Sequence, residues 1–310
     1  GADYEVKGSF GEKTANVEAG ADARDVAKAF NLIAGTTGVQ ASVVTRAKIS
    51  SITGADTYSF TLQGKSKNES TVNATISSTS NLTELKDAIN SVSGSTGITA
   101  SLTEDLSGIN MVQNEGYDII IGGMTAATTH AAHTFDTSSP PADAVGAELT
   151  SATDHGFNVG DVVKYTKGGT VVTGLTDGAF YTVTETSTTK KMRLDTTDLS
   201  GTFNYGGGGG HAADTFTKVN IVNVKTVSKS NSTGKLVDGS VTTLGTAATD
   251  DSMAIAGQVS LSSHKAFTVT PKNNANHFAA DQTTATASLK QIGDVDVSSQ
   301  LGATNALSVI

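Results

Sequence analysis

Residues Asp22–Val44 read DARDVAKAFNLIAGTTGVQASVV, and residues Asn81–Thr103 read NLTELKDAINSVSGSTGITASLT. The second stretch begins 59 residues after the first and carries the same marks in the same order. Both have Ala-x-Asn (Ala29 and Asn31, Ala88 and Asn90), then Gly-x-Thr-Gly (Gly35 to Gly38, Gly94 to Gly97), then Ala-Ser (Ala41-Ser42, Ala100-Ser101). Asp22 and Asn81 stand where a helix N-cap belongs, with Asp25 and Glu84 three residues later near the positive end of the helix dipole. Apolar residues then recur at helical spacing: Val26, Ala29, Phe30 and Ile33 in one copy, Leu85, Ala88, Ile89 and Val92 in the other. Gly35 and Gly94 are the expected stops, because a left-handed C-terminal cap suits glycine.

Working outward, an alternating strand is predicted after each helix, Val39 to Val43 and Ile98 to Leu102. A Thr/Val/Ile strand is predicted before each, Thr14 to Glu18 and Val72 to Ser77. Each copy therefore reads as strand, short amphipathic helix, strand. A helix with one apolar stripe must cover a sheet. Asp22, Asp25 and Glu84 are read as helix-start electrostatics, not as catalytic or metal-binding carboxylates, since both copies keep the offsets with no His nearby.

The rest of the chain agrees with a strand-rich fold. It has 310 residues, 37% hydrophobic and 5% aromatic, with 33 Gly, 3 Pro and no Trp. Short Val/Thr/Ile runs punctuated by Gly, Asn and Asp favour strands and turns. The net charge of -9 is dispersed, which disfavours nucleic acid as a partner because phosphate backbones need clustered Lys and Arg. The densest basic cluster, Lys190, Lys191 and Arg193, is flanked by Asp195 and Asp198 and reads as a solvated strand face. The absence of cysteine removes disulfides, thiolate catalysis and Cys-based metal sites. No run of 18 apolar residues suggests membrane insertion, and Gly1 onward does not read as a cleavable signal peptide.

A stretch of different character runs from Ala126 to Lys218, with Pro140-Pro141 and the run Gly206 to Gly210. Its centre, from His155 through Tyr181 to Leu194, reads as short strands joined by turns. Tyr181, Val183 and Glu185 alternate with threonines, as in a half-exposed antiparallel strand. His130-Ala-Ala-His-Thr-Phe135 is echoed by His211-Ala-Ala-Asp-Thr-Phe216, which suggests paired entry and exit strands of a small all-β domain.

Candidate chemistry is sparse. His130 and His133, with His211 in the matching position of the echo, suggest a surface metal site, but zinc wants three or four convergent ligands at defined spacing and no Cys is available, so they read as ordinary exposed strand or loop histidines. The five glycines 206–210 lack the Gly-Lys-Ser/Thr that opens a P-loop helix and read as linker. No G-x-S-x-G elbow and no His-Glu-x-x-His is present. Asp294-Val-Asp296 reads as one face of a strand, and the sequons at Asn68, Asn73, Asn81 and Asn231 are expected by chance. A glycan platform would have to use Tyr165, Phe180, Tyr181 or Tyr205. The expectation is no catalytic, cofactor-binding or metal site.

The repeated stretch resembles the short repeat of bacterial flagellins and related flagellar axial proteins, whose core reads approximately D-L-x-x-A-I-N followed by G-V-x-A. Here that is Glu84-Leu85-Lys86-Asp87-Ala88-Ile89-Asn90, then Gly97-Ile98-Thr99-Ala100, with Phe30 replacing the Ile in the first copy. Ala256 to Thr270, then Ile292 to Ser299, then Ala303 to Ile310 are similar to the run into the flagellin C-terminal core helix. Ala303, Ala306, Leu307 and Ile310 have the spacing of its opening turns. The resemblance covers about 1–125 and 219–310.

It implies a mainly β fold with a few short helices. Residues 1–125 would form the first part of an outer domain with two strand-helix-strand repeats, and 126–218 an inserted small all-β domain. Residues 219–299 would return to complete the outer domain, and 300–310 would start the core helix. The implied function is structural: an extracellular filament subunit serving motility, exported without a cleavable signal, its partners other flagellin subunits and neighbouring outer domains. A hook-associated or cap protein, and an adhesin-like glycan-binding module, are the alternatives; an enzyme is not expected.

Overall fold

The computed structural model describes residues 2–136, 149–151, 153–168, 175–195, 214–230, 235–246, 251–272 and 285–286. Pro140-Pro141, Tyr205, Gly206–Gly210, His211, Asn231, Asp294, Asp296 and the segments 292–299 and 303–310 lie outside the described residues. The fold is mainly β with a few short helices.

The chain opens with a hairpin, β1 (Ala2–Lys7) and β2 (Glu12–Val17), followed by α1 (Ala23–Leu32), a further turn α2 (Ala34–Thr37) and the long strand β3 (Gln40–Ile52). The same series then recurs: the hairpin β4 (Asp56–Gln63) and β5 (Ser70–Ile76), then α3 (Thr83–Ser91), α4 (Ser93–Thr96) and β6 (Ile98–Leu102). Strands β7 (Ile109–Gln113) and β8 (Ile119–Ala126) follow; β7 pairs β6, and β8 pairs β4.

Six strands then close a small barrel: β9 (Ala132–Asp136), β10 (Leu149–Ser151), β11 (Val162–Thr166), β12 (Phe180–Thr188), β13 (Lys191–Leu194) and β14 (Thr215–Lys218). The echoed segments do pair, with Phe216 opposite His133 and Thr215 opposite Thr134. Inward-facing Phe135, Val163, Tyr165, Val183, Met192 and Phe216 are buried together as the barrel's own core.

The returning chain supplies β15 (Ile221–Lys229), β16 (Leu236–Gly245), β17 (Ser252–Ile255), β18 (Gln258–Ser262), β19 (Thr268–Pro271) and β20 (Ala285–Thr286). Strand β18 pairs the first half of β3, placing Leu261 opposite Ala41 as β7 places Met111 opposite Ala100. Strand β19 pairs β1 as β8 pairs β4. Each unit is thus a hairpin, a helix, an edge strand and two closing strands. The second takes its closing strands from the chain just downstream, the first from the return.

Two further cores result. Val26, Phe30 and Ile33 of the first helix region pack on Tyr4, Val6, Val17, Val39 and Val269. Leu85 and Ile89 of α3 pack on Phe60, Val72, Ile98, Met111 and Ile121, in a core that β15, β16 and β17 enlarge. Full burial of such side chains stabilises by about 1.5–3 kcal/mol each. Strand β3 serves both cores, since Ala41 lies against the first and Ala47, Ile49 and Ile52 are buried in the second.

Two local expectations are corrected. Gly35 and Gly94 do not stop the helices. Ile33 and Val92 leave helical geometry (ψ 1° and 8°), one more turn forms, and Gly38 (φ 73°) and Gly97 (φ 68°) take the left-handed cap. Spacing alone cannot choose between two glycines three residues apart. Asn81 is not the residue that directly precedes α3; Leu82 intervenes, and Asn81 Oδ1 reaches past it to accept the N–H of Thr83 at 3.1 Å.

Candidate functional site

The best-built feature is the joint between each helix and the strand after it. The Asn90 side chain donates to the Ala100 carbonyl at 2.9 Å and accepts the Ala100 N–H at 2.8 Å. Asn31 makes the same two bonds to Ala41, at 2.9 and 2.8 Å. A carboxamide can satisfy one N–H and one C=O at once, so it stands in for a neighbouring strand at the sheet edge. Thr37 and Thr96 are fully buried. Their hydroxyls donate to Ile33 and Val92 carbonyls (3.1 and 3.0 Å) and accept the N–H of Val39 and Ile98 (3.2 Å each). The shared Asn and Thr of the two sequences are therefore the residues that lock helix to strand. The preceding hairpin belongs to the unit as well: a Cβ on Gly8 would strike the Thr37 carbonyl, and one on Gly64 the Thr96 carbonyl.

The helix starts carry charge for the reason expected. Asp22 accepts the N–H of Arg24 at 2.9 Å and of Asp25 at 3.0 Å. Burial works against its charge, but the Arg24 guanidinium and these N–H groups outweigh it and hold the carboxyl below its ordinary value. Arg24 also lies over the Tyr117 ring, 3.8 Å from its centroid, tying the first helix to the turn between β7 and β8. Asp25 and Glu84 are exposed in the first turns of α1 and α3.

Other candidates are scattered. His130 lines a cleft beside the barrel, while His133 sits edge-on to Phe157 at 5.3 Å. Burial first, and the nearby His155 second, push the His133 imidazole below its ordinary value. Among the described residues no group of three His, Asp or Glu is placed to hold a metal ion. His155, not singled out by sequence, is buried with Nδ1 accepting the Phe157 N–H at 2.9 Å. Tyr165 is fully buried, so it cannot serve a glycan platform. Phe180 touches Gly245, and the Tyr181 hydroxyl accepts the Thr176 N–H at 2.8 Å. Arg193 pairs with Glu185 across the barrel wall at 3.3 Å, as suits a strand face. Asn68, Asn73 and Asn81 are exposed. No helix among the described residues is long and apolar enough to cross a membrane.

Compared with curated proteins, the chain finds no match. Residues 59–115 match the family model described as the flagellin hook IN motif. That span holds most of β4, then β5, α3, α4, β6 and β7, with the Asn90 and Thr96 locks and Gly97 inside it. The first unit lies outside the match, although its geometry is the same. The match supports a flagellin-type protein and suggests a component of the flagellar filament or hook.

Proposed function

We propose that the chain is the outward-facing part of a flagellar filament subunit, a structural protein without catalytic chemistry. The flagellin-type motif at 59–115 carries this reading. The two β-rich units form a stiff stem and present the barrel between them and the surroundings. They define the outer surface of the appendage, which works outside the cell in motility, and assemble with other flagellar subunits. The first unit is read as a second copy of the same motif, on the strength of its matching Asn, Thr and Gly positions.

The test is immunogold labelling of intact cells with antibodies raised against this chain. Gold along the whole appendage is the expected result. Gold confined to the hook or the tip would replace this reading by a hook-associated or cap protein, and gold on the cell body alone would overturn both.

A further inference from the structure

The barrel joins the second unit through two chain crossings, 127–131 outward and 219–220 returning. Two crossings could act as a loose hinge. One carboxylate ties them together instead. Asp56, the first residue of β4, accepts the Thr128 N–H on both oxygens at 3.2 and 3.3 Å. The same side chain accepts the Asn220 carboxamide N–H at 3.2 Å. It also accepts the N–H of Thr57 at 2.7 Å.

Each crossing is held again beside it. Ala127 donates to the Thr57 carbonyl at 2.9 Å; Ile221 donates to the Thr53 hydroxyl at 2.9 Å and accepts the Thr53 N–H at 3.1 Å. Asn220 is buried (8% exposed), and its carbonyl accepts both the N–H and the hydroxyl of Thr246 at 3.0 Å. Its carboxamide rests on Gly54, where a Cβ would collide with it. From the barrel side, Val219 donates to the Val162 carbonyl at 2.9 Å and Lys218 pairs with Asp161 at 2.8 Å. Phe180 of the barrel rests on the backbone of Gly245 at the end of β16. An open cleft of about 270 Å³ remains between 53–56 and 160–162, which is the space a swinging barrel would use.

We infer that Asp56 is the pin of a rigid joint, which holds both crossings on one carboxylate and fixes the barrel's orientation on the second unit. Charge-assisted hydrogen bonds to a carboxylate are about twice as strong as neutral ones, so a single such group can hold two backbone segments in register. The inference concerns orientation and stands independently of the flagellar reading.

The experiment is backbone relaxation by NMR on the whole chain, comparing rotational correlation times of amides in the barrel and in the second unit. The native chain is expected to give one common value. Asn220→Asp keeps the side chain's size but sets two carboxylates face to face. The barrel should then report a shorter correlation time than the second unit, with the chemical shifts of both cores retained. Pairing Asp56→Asn with Asn220→Asp restores a donor opposite an acceptor and should bring the two values back together. Unequal values in the native chain, or a common value in Asn220→Asp, would overturn the pin. Should Asn220→Asp lose the second unit's fold, Asp161→Asn serves as the counter-test. It weakens contacts on the barrel side alone, the Lys218 pair and the bond from the Asn158 N–H at 2.9 Å, and should leave a common value; separate tumbling in that variant would move the pin to Asp161 and sink the assignment to Asp56.

Discussion

The second unit takes its closing strands, β7 and β8, from the chain that directly follows β6, whereas the first receives β18 and β19 only after the barrel and β15 to β17 have intervened. Their helix, turn and edge strand are nearly superimposable in hydrogen bonding, so the difference lies in how far the chain must travel to finish each sheet. Closing a long loop costs conformational entropy that grows slowly with length, so the nested arrangement is thermodynamically mild. Kinetically it is not, because contacts distant in sequence form late. The second unit can close early; the first depends on the return.

The sharpest way to break this comparison is to cut the same apolar anchor in each unit. Phe30→Ala should cost about 3–5 kcal/mol and Ile89→Ala about 2–5 kcal/mol, since both side chains are fully buried. Refolding after a denaturant jump should be slowed more by Ile89→Ala, whose helix packs on strands β4 to β8 that are contiguous in the chain. Equal slowing by both would remove the distinction between early and late closure. Lys28→Ala, on the exposed face of α1, should stay within about 0.5 kcal/mol and serves as the control.

A smaller effect is expected at the locks. Asn90→Ala leaves a part-buried N–H and carbonyl of Ala100 without partners and should cost about 1–3 kcal/mol. Asn31→Ala should cost less, because the bonds to Ala41 are exposed and water replaces them. Amide hydrogen exchange at Ala100 and Ala41 reads each lock directly. A larger loss at Ala41 would reverse the ranking of the two joints.

The smallest effect separates the units by charge. Asp22 caps the first helix with a carboxyl held below its ordinary value, whereas Asn81 begins the second without a titrating group. A depressed carboxyl means that the unfolded chain binds more protons between the two values, so stability rises with pH there. The contribution is fully present above about pH 4 and is lost as pH falls through the folded value. The melting temperature of Asp22→Asn should therefore fall below native at pH 7, with the gap closing in strong acid. A gap independent of pH would show that the carboxyl's charge contributes nothing.

Local pattern made much of this readable. The buried stripe Val26, Phe30, Leu85 and Ile89 follows from helical spacing, and the Asp22 cap from its position. The alternation around Val183 marks a barrel strand for the same reason. The hairpins were half hidden, because β1 and β4 precede turns of different length and fall out of the common offset. Asn31 and Asn90 were visible as a shared letter, but their partners lie ten residues away on another element. Asp56 gave no signal, since its partner Asn220 is 164 residues distant and only the fold brings them together. Residue type alone left Tyr165 open as a platform aromatic; its burial follows from the residue-by-residue alternation of barrel interior and exterior, whose phase only the fold sets.

Strand β3 has a mechanical consequence. Its 13 residues form a girder about 40 Å long at a rise near 3.3 Å per residue. Its first half is bonded to β18 and its second to β7 and β15, so the girder runs unbroken from one core into the next. A load applied to the barrel would reach the first unit as shear along this ladder, where many hydrogen bonds resist together, and not as peeling at a linker. The two units would bend as one beam.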